Sequence, residues 1–304
     1  MPIARVNGTD LSYDDHPAYD DHGSGGPGEP VVMLAGTGAP GRVWRTHQVP
    51  ALRAAGRRVI TLDNRGIPPT GPSPGGFTLD DMAADVAGLI EHLGTGPCGV
   101  VGHSLGGLIA QELLLARPEL VTRAVLMASC GRADALITAM AAADIELADS
   151  GVRIPPAVSA YQQALQNLSP RTLNDEDKLR DWLGILELSG SDPSTIRAQL
   201  GLEVVPNRLP HYRRITRPCL VIGFQDDLVV RPHLSRELAA AIPAAVHTEI
   251  PGCGHYGYLE RPDAVNEAVI GFLLGGSHSR RAGAGEVHPD ESPLRHDPNR
   301  IQIF

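Results

Sequence analysis

Hydrophobic and polar positions follow two rhythms along this chain. Short apolar or alternating runs occur at residues 31–34, 58–62, 98–101, 123–128, 219–222 and 246–250. Their length and their Gly, Pro and charged boundaries read as strands, most of them buried on both faces. Other segments have the helical period. Residues 78–93 place Leu79, Met82, Val86, Leu89 and Ile90 on one stripe behind Thr78 as a cap. Residues 108–114 and 262–274 read as helices in the same way. Residues 3–13 alternate loosely about Asn7-Gly8, a hairpin signal, and 14–30 form a polar Gly- and Pro-rich stretch. Strands alternating with helices imply an α/β fold: a mainly parallel, twisted sheet covered by helices on both faces.

From 131 to 210 the strand signals stop. Helical stretches at 133–149, 157–168, 175–188 and 195–202 are separated by Gly and Pro. An all-helical block between two strands of a parallel sheet reads as a cap over its carboxyl edge, where open α/β sheets bind ligands. The expected organisation is a core of 1–130 and 211–274, a cap of 131–210 and a polar C-terminal tail of 275–304. The tail has no periodicity until the apolar Ile301-Gln302-Ile303-Phe304, which either stays loose or docks on the body or on a neighbouring subunit.

The 304 residues are 42% hydrophobic and 20% charged, with a formal net charge of −9, a balance that disfavours nucleic acid as a partner. Lys178 is the single lysine, and with the abundance of Ala, Gly and Pro this reflects a GC-rich genome rather than a function. There is no apolar stretch of membrane-spanning length and no secretory signal at the N-terminus, so the expected location is cytoplasmic. Cys98, Cys130, Cys219 and Cys253 are widely spaced with no C-x-x-C and read as buried free thiols. Asp14-Asp15-His16 and Asp20-Asp21-His22 read as solvated acidic turns, and no metal or other cofactor is expected.

The most informative residues are Gly102-His103-Ser104-Leu105-Gly106, a G-x-S-x-G between a strand and a helix. A serine on that sharp turn is thrust out of the sheet at the helix N-terminus, where backbone N–H groups can stabilise an oxyanion. Gly36-Thr37-Gly38-Ala39-Pro40-Gly41 matches the dinucleotide-binding G-x-G-x-x-G, but the same spacing recurs from Gly23, Gly94 and Gly252, so abundant glycine produces it. With no G-K-[ST], a P-loop is excluded.

From about residue 5 to 274 the chain resembles the α/β-hydrolase superfamily. The resemblance implies a nucleophile, an acid and a histidine in that order. Ser104 is the nucleophile. His255, in Pro251-Gly252-Cys253-Gly254-His255 ahead of Glu260-Arg261-Pro262, is the base. The acid is Asp227, with Asp226 as the alternative, depending on whether Phe224 or Gly223 is aligned with the usual strand-end glycine. The oxyanion donors implied are the amides of Leu105 and Thr37. Asp63-Asn64-Arg65-Gly66 matches the family's D-x-R-G turn, and its side chains are expected to tie loops together. Two departures stand out: Ala35 where histidine is usual, and Ile67-Pro68-Pro69-Thr70 in place of G-H-G-x-S.

The resulting expectation is a cofactor-free serine hydrolase. It would cleave a small-molecule carboxylic ester, lactone or thioester through an acyl-enzyme on Ser104, in a setting such as secondary metabolism. The alternative is a non-hydrolytic protein of the same fold, a cyclase, lyase or small-molecule receptor. The oligomeric state is not legible.

Overall fold

The computed structural model describes residues 1–19, 28–71, 73, 75–189, 193–202 and 204–275. The Asp20-Asp21-His22 turn and nearly all of the 275–304 tail, including its apolar end, lie outside the described residues.

Eight strands form one sheet: β1 (Ile3–Val6), β2 (Thr9–His16), β3 (Gly28–Leu34), β4 (Arg57–Leu62), β5 (Cys98–His103), β6 (Val121–Met127), β7 (Cys219–Phe224) and β8 (Ala245–Ile250). Their order is β1-β2-β4-β3-β5-β6-β7-β8. The β1–β2 hairpin turns at Asn7-Gly8, both in the left-handed region at φ 45° and 74°, and joins β4 antiparallel. All pairings from β4 to β8 are parallel. β2 runs three residues further than the sequence suggested. Asp14 and Asp15 stay in register against β4, and their carboxylates are neutralised by Arg45 and Arg58. The acidic turn is therefore a charged strand end.

Successive strand residues point to opposite faces, and each face has its own core. Val32, Leu34, Val100, Leu126 and Val221 pack on one side, and Met33, Val101, Val125, Met127 and Ile222 on the other. The second face is covered by α1 (Gln48–Ala54), the first by α2 (Leu79–His92) and α3 (Leu105–Ala116). Thr78 and Asp81 close a reciprocal capping box at the start of α2.

Between β6 and β7 the chain is helical: α4 (Ala135–Ser150), α5 (Pro156–Asn167), α6 (Pro170–Leu173), α7 (Glu176–Ser189), α8 (Pro193–Leu200) and α9 (Leu209–Tyr212). Asp134 caps α4, accepting from the amides of Leu136 and Ile137 at 3.0 Å. α5 and α7 enclose a small core of Ala160, Ala164, Leu168 and Leu186. The remaining helices are α10 (Pro232–Ala241), on the first face, and α11 (Gly257–Glu260) and α12 (Pro262–Leu273), on the second. The one-turn helices α6, α9 and α11 are too short to show a period in the sequence.

Arg65, of the D-x-R-G turn, forms a bidentate pair with Asp85 of α2 at 2.8 and 2.6 Å, and Asn7 donates to the same carboxylate at 2.9 Å. With side chains only 11% and 3% exposed, this pair staples the hairpin, the turn and α2 together. Removing one partner leaves an uncompensated buried charge. Asp85→Ala is expected to lower unfolding stability in urea by about 3–5 kcal/mol, and Arg65→Met combined with Asp85→Leu to recover most of it.

Candidate active site

Ser104 sits between β5 and α3 at φ 53°, ψ −118°, a backbone conformation that side chains rarely adopt. The surroundings enforce it. Its amide donates to the Met127 carbonyl at 2.9 Å, and its own carbonyl accepts from the Gly107 amide at 2.8 Å and from Ser129 Oγ at 3.2 Å. Ser129 Oγ in turn accepts from Gln111 of α3. The two motif glycines are steric necessities. A Cβ at Gly102 would stand 2.3 Å from the Gly106 carbonyl oxygen, and one at Gly106 would stand 2.2 Å from that of Leu34. The Ser104 side chain makes no capping bond to α3.

The loop after β3 passes close by. A Cβ at Gly36 would lie 3.3 Å from Ser104 Cβ. The Thr37 hydroxyl is buried with no partner among the described residues, and the Leu105 amide opens α3, where the first N–H groups have no partner within the helix. Two residues fix this loop from outside. Asn64 donates to the Ala35 carbonyl at 2.9 Å. Gln199, fully buried on α8, accepts from the Gly38 amide at 2.9 Å and donates to the Arg65 carbonyl at 2.7 Å.

On the other side of the sheet edge, His255 Nδ1 lies 2.9 Å from Asp227 Oδ2, with side chains 6% and 0% exposed. The other Asp227 oxygen accepts from the amides of Val229 and Val230 at 2.8 and 2.9 Å. The carboxylate is thus locked before the histidine reaches it. With Nδ1–H donated to Asp227, the His255 Nε2 lone pair is left to accept a proton. Asp226 is turned elsewhere. Its amide donates to the Cys253 carbonyl, and its half-buried carboxyl is raised above the usual range by burial and then by the nearby Glu260. The structure brings Asp227, and not Asp226, to His255.

Two further residues hold the His255 loop. His103, from the elbow, donates Nε2–H to the His255 carbonyl at 2.9 Å, and the two rings lie 4.7 Å apart. Glu260 accepts from the Gly254 amide at 2.6 Å, while its other oxygen accepts from the Ser169 amide and hydroxyl and from the Thr172 hydroxyl at 3.0, 2.7 and 2.6 Å. Glu260 thus joins the loop to α6. The Glu-x-Pro pattern flagged this residue, but nothing in the sequence pointed to Gln199 or to the clamp made by His103. Cys253 is fully buried beneath the loop, its thiol pushed up to about 12 chiefly by burial.

Among the described residues no cluster of three His, Cys, Asp or Glu side chains could hold a metal ion, and no helix is long and apolar enough to cross a membrane.

Residues 31–268 match the alpha/beta hydrolase family, and the chain belongs to it. It is 49% identical over 258 residues to the protein named "Putative non-heme bromoperoxidase BpoC" of Mycobacterium tuberculosis H37Rv, covering 84% of this chain and 97% of the relative. The crystal structure of that relative superposes with a TM-score of 0.81, at 46% identity, over 90% of this chain and 97% of the other. The enol-lactonase of Burkholderia xenovorans LB400 is similar at a TM-score of 0.77 and 25% identity, over 90% of this chain and all (100%) of the other. A further relative, named "Putative carbamate hydrolase RutD", from Serratia proteamaculans, is 30% identical over 80% of this chain and 90% of its own length.

Two outcomes follow from this geometry. Gln199→Ala removes both bonds from α8 to the loops beneath it. It is expected to cost about 1–3 kcal/mol in urea unfolding and to speed amide exchange at Gly38. Complete burial, and then the neighbouring His255, hold the His103 ring well below its ordinary value of 6.5. The unfolded chain therefore takes up a proton that the native ring refuses, and stability falls as the pH drops below 6.5. Replacing His103 by Gln should flatten that slope in acid-titration unfolding curves.

Proposed function

We propose that this chain is a serine hydrolase acting on a carboxylic ester, lactone or thioester, with Ser104 as nucleophile, His255 as general base and Asp227 as the acid that orients it. The observation that carries the reading is the locked Asp227–His255 pair at 2.9 Å on the same sheet edge as a serine held at φ 53°. A serine hydroxyl is a weak nucleophile until a neighbouring base takes its proton, and the His255 tautomer fixed by Asp227 is the one able to do so. Attack on the acyl carbonyl places negative charge on its oxygen, and the amides of Leu105 and Thr37 are the donors assigned to that charge. Each such donor contributes about 2.7–4 kcal/mol in the transition state. His255 then passes the proton to the leaving group. Water activated by the same ring releases the acid and restores Ser104.

The enol-lactonase neighbour supports an ester-type carbonyl as the reacting group, and a tailoring esterase or editing thioesterase of secondary metabolism is the setting we assign. The name of the Mycobacterium tuberculosis relative favours one variation on this chemistry. Hydrogen peroxide would replace water at deacylation, and a peracid would leave in place of the acid.

Intact-mass labelling with a fluorophosphonate tests the reading. One adduct on the wild type and none on Ser104→Ala is the expected result. An unlabelled, well-folded wild type would sink it and favour a cyclase, lyase or receptor. With an ester substrate, Asp227→Asn should lower kcat by about 10⁴-fold because the imidazole is then held in the wrong tautomer. Asp226→Asn should leave kcat close to that of the wild type.

A further inference from the structure

Two cavities lie side by side beneath α4. The inner one, about 30 Å³, is bounded by Ser104, by Ile137 of α4 and by Val229 and Val230 of the loop that follows Asp227. The outer one is a groove of about 450 Å³ between the same helix, the same loop and α5. Leu136 and Leu228, the immediate chain neighbours of Ile137 and Val229, both line it, so the two cavities adjoin the same stretch of α4 and the same loop. The groove's volume falls in the range of about 300–1,000 Å³ typical of small-molecule sites.

The chemistry of the groove is lopsided. Its walls are apolar, with Met140, Leu147 and Ile154 joining Leu136 and Leu228. Its polar lining consists of Asp144, Gln162 and Gln166, and no Arg, Lys or His is among the lining residues. The other aspartates at the ends of α4 are matched: Asp134 with Arg231 and Asp149 with Arg197. The Asp144 side chain has no hydrogen bond or ion pair among the described residues; it is exposed to solvent at the groove, whose wall partly shields the carboxyl and pushes it up with no cation to offset this. A negative charge on an apolar wall, with no counter-charge in the protein, favours a ligand that brings the cation itself. The net charge of −9 also draws cations toward the molecule and repels anions.

We infer that the groove is a substrate-binding subsite for a cationic amphiphile, an acyl compound whose apolar chain lies along α4 and carries a protonated amine that pairs with Asp144. The identification of the bound molecule as substrate rests on the serine-hydrolase reading; the groove's preference for an ammonium does not. An acyl chain ending in a carboxylate is disfavoured by the same charge.

The test compares p-nitrophenyl hexanoate with p-nitrophenyl 6-aminohexanoate, which have the same chain with and without the ammonium. The wild type should favour the ammonium ester in kcat/KM by about fivefold, the scale of one partly exposed ion pair. Asp144→Asn should abolish that preference, so that the two esters are turned over with similar kcat/KM. An equal preference in the two proteins would overturn the inference. A second measurement separates it from the catalytic reading: calorimetric titration of n-octylammonium into Ser104→Ala with and without Asp144→Asn, with octanoate as the control. Octylammonium binding that weakens on loss of the Asp144 charge supports the subsite even if no ester is turned over. Absent binding, or binding indifferent to Asp144, refutes it.

Discussion

The carbonyl oxygen of Leu34 and the α-carbon of Gly106 approach so closely that a single added carbon would lie 2.2 Å from that oxygen. This contact between the end of β3 and the first turn of α3 is the constraint on which the rest of the site is built. It brings the loop after β3 alongside Ser104 and sets α3 tight against the sheet. It also leaves the serine in a left-handed conformation that its neighbours must sustain. That strain is of the order of 1–3 kcal/mol, comparable to the net worth of one or two good hydrogen bonds. Four bonds converge on the Ser104 backbone, one to the Met127 carbonyl and three from Gly107, Leu108 and Ser129, and together they are of the size needed to offset it.

The histidine side is organised differently. It too has a close backbone contact, since a Cβ at Gly254 would stand 2.5 Å from the Asn167 carbonyl oxygen, but side chains do most of the fixing. Asp227 is fixed by two amides, His255 by Asp227, the His255 carbonyl by His103, and the adjacent Gly254 by Glu260. His103 belongs to the elbow itself, so the two halves share a residue. Both halves also reach into the helices between β6 and β7, the serine side through Gln199 and the histidine side through Glu260 with Ser169 and Thr172.

Much of this was legible in the sequence because the signals are local. The elbow is a five-residue pattern with a steric cause, and the strands are short apolar runs with clear boundaries. The order of serine, aspartate and histidine along the chain needs no three-dimensional information. The choice of Asp227 over Asp226 rested only on which residue is aligned with the usual strand-end glycine, because adjacent residues at a strand end leave in opposite directions and the register of one turn decides which meets His255. The strand end at Asp14–His16 was missed because charge suggested solvent, whereas arginines distant in sequence neutralise it. Gln199 meets Gly38 across 161 residues, and an isolated glutamine in a helix gives no sign of its partner.

The Gln199 bridge also couples distant parts of the molecule. Its oxygen holds Gly38 beside Ser104, and its nitrogen holds Arg65, whose side chain pairs with Asp85 of α2. One side chain on α8 thus ties the loop after β3 to the buried ion pair under the hairpin, and any change in the seating of α8 reaches both at once.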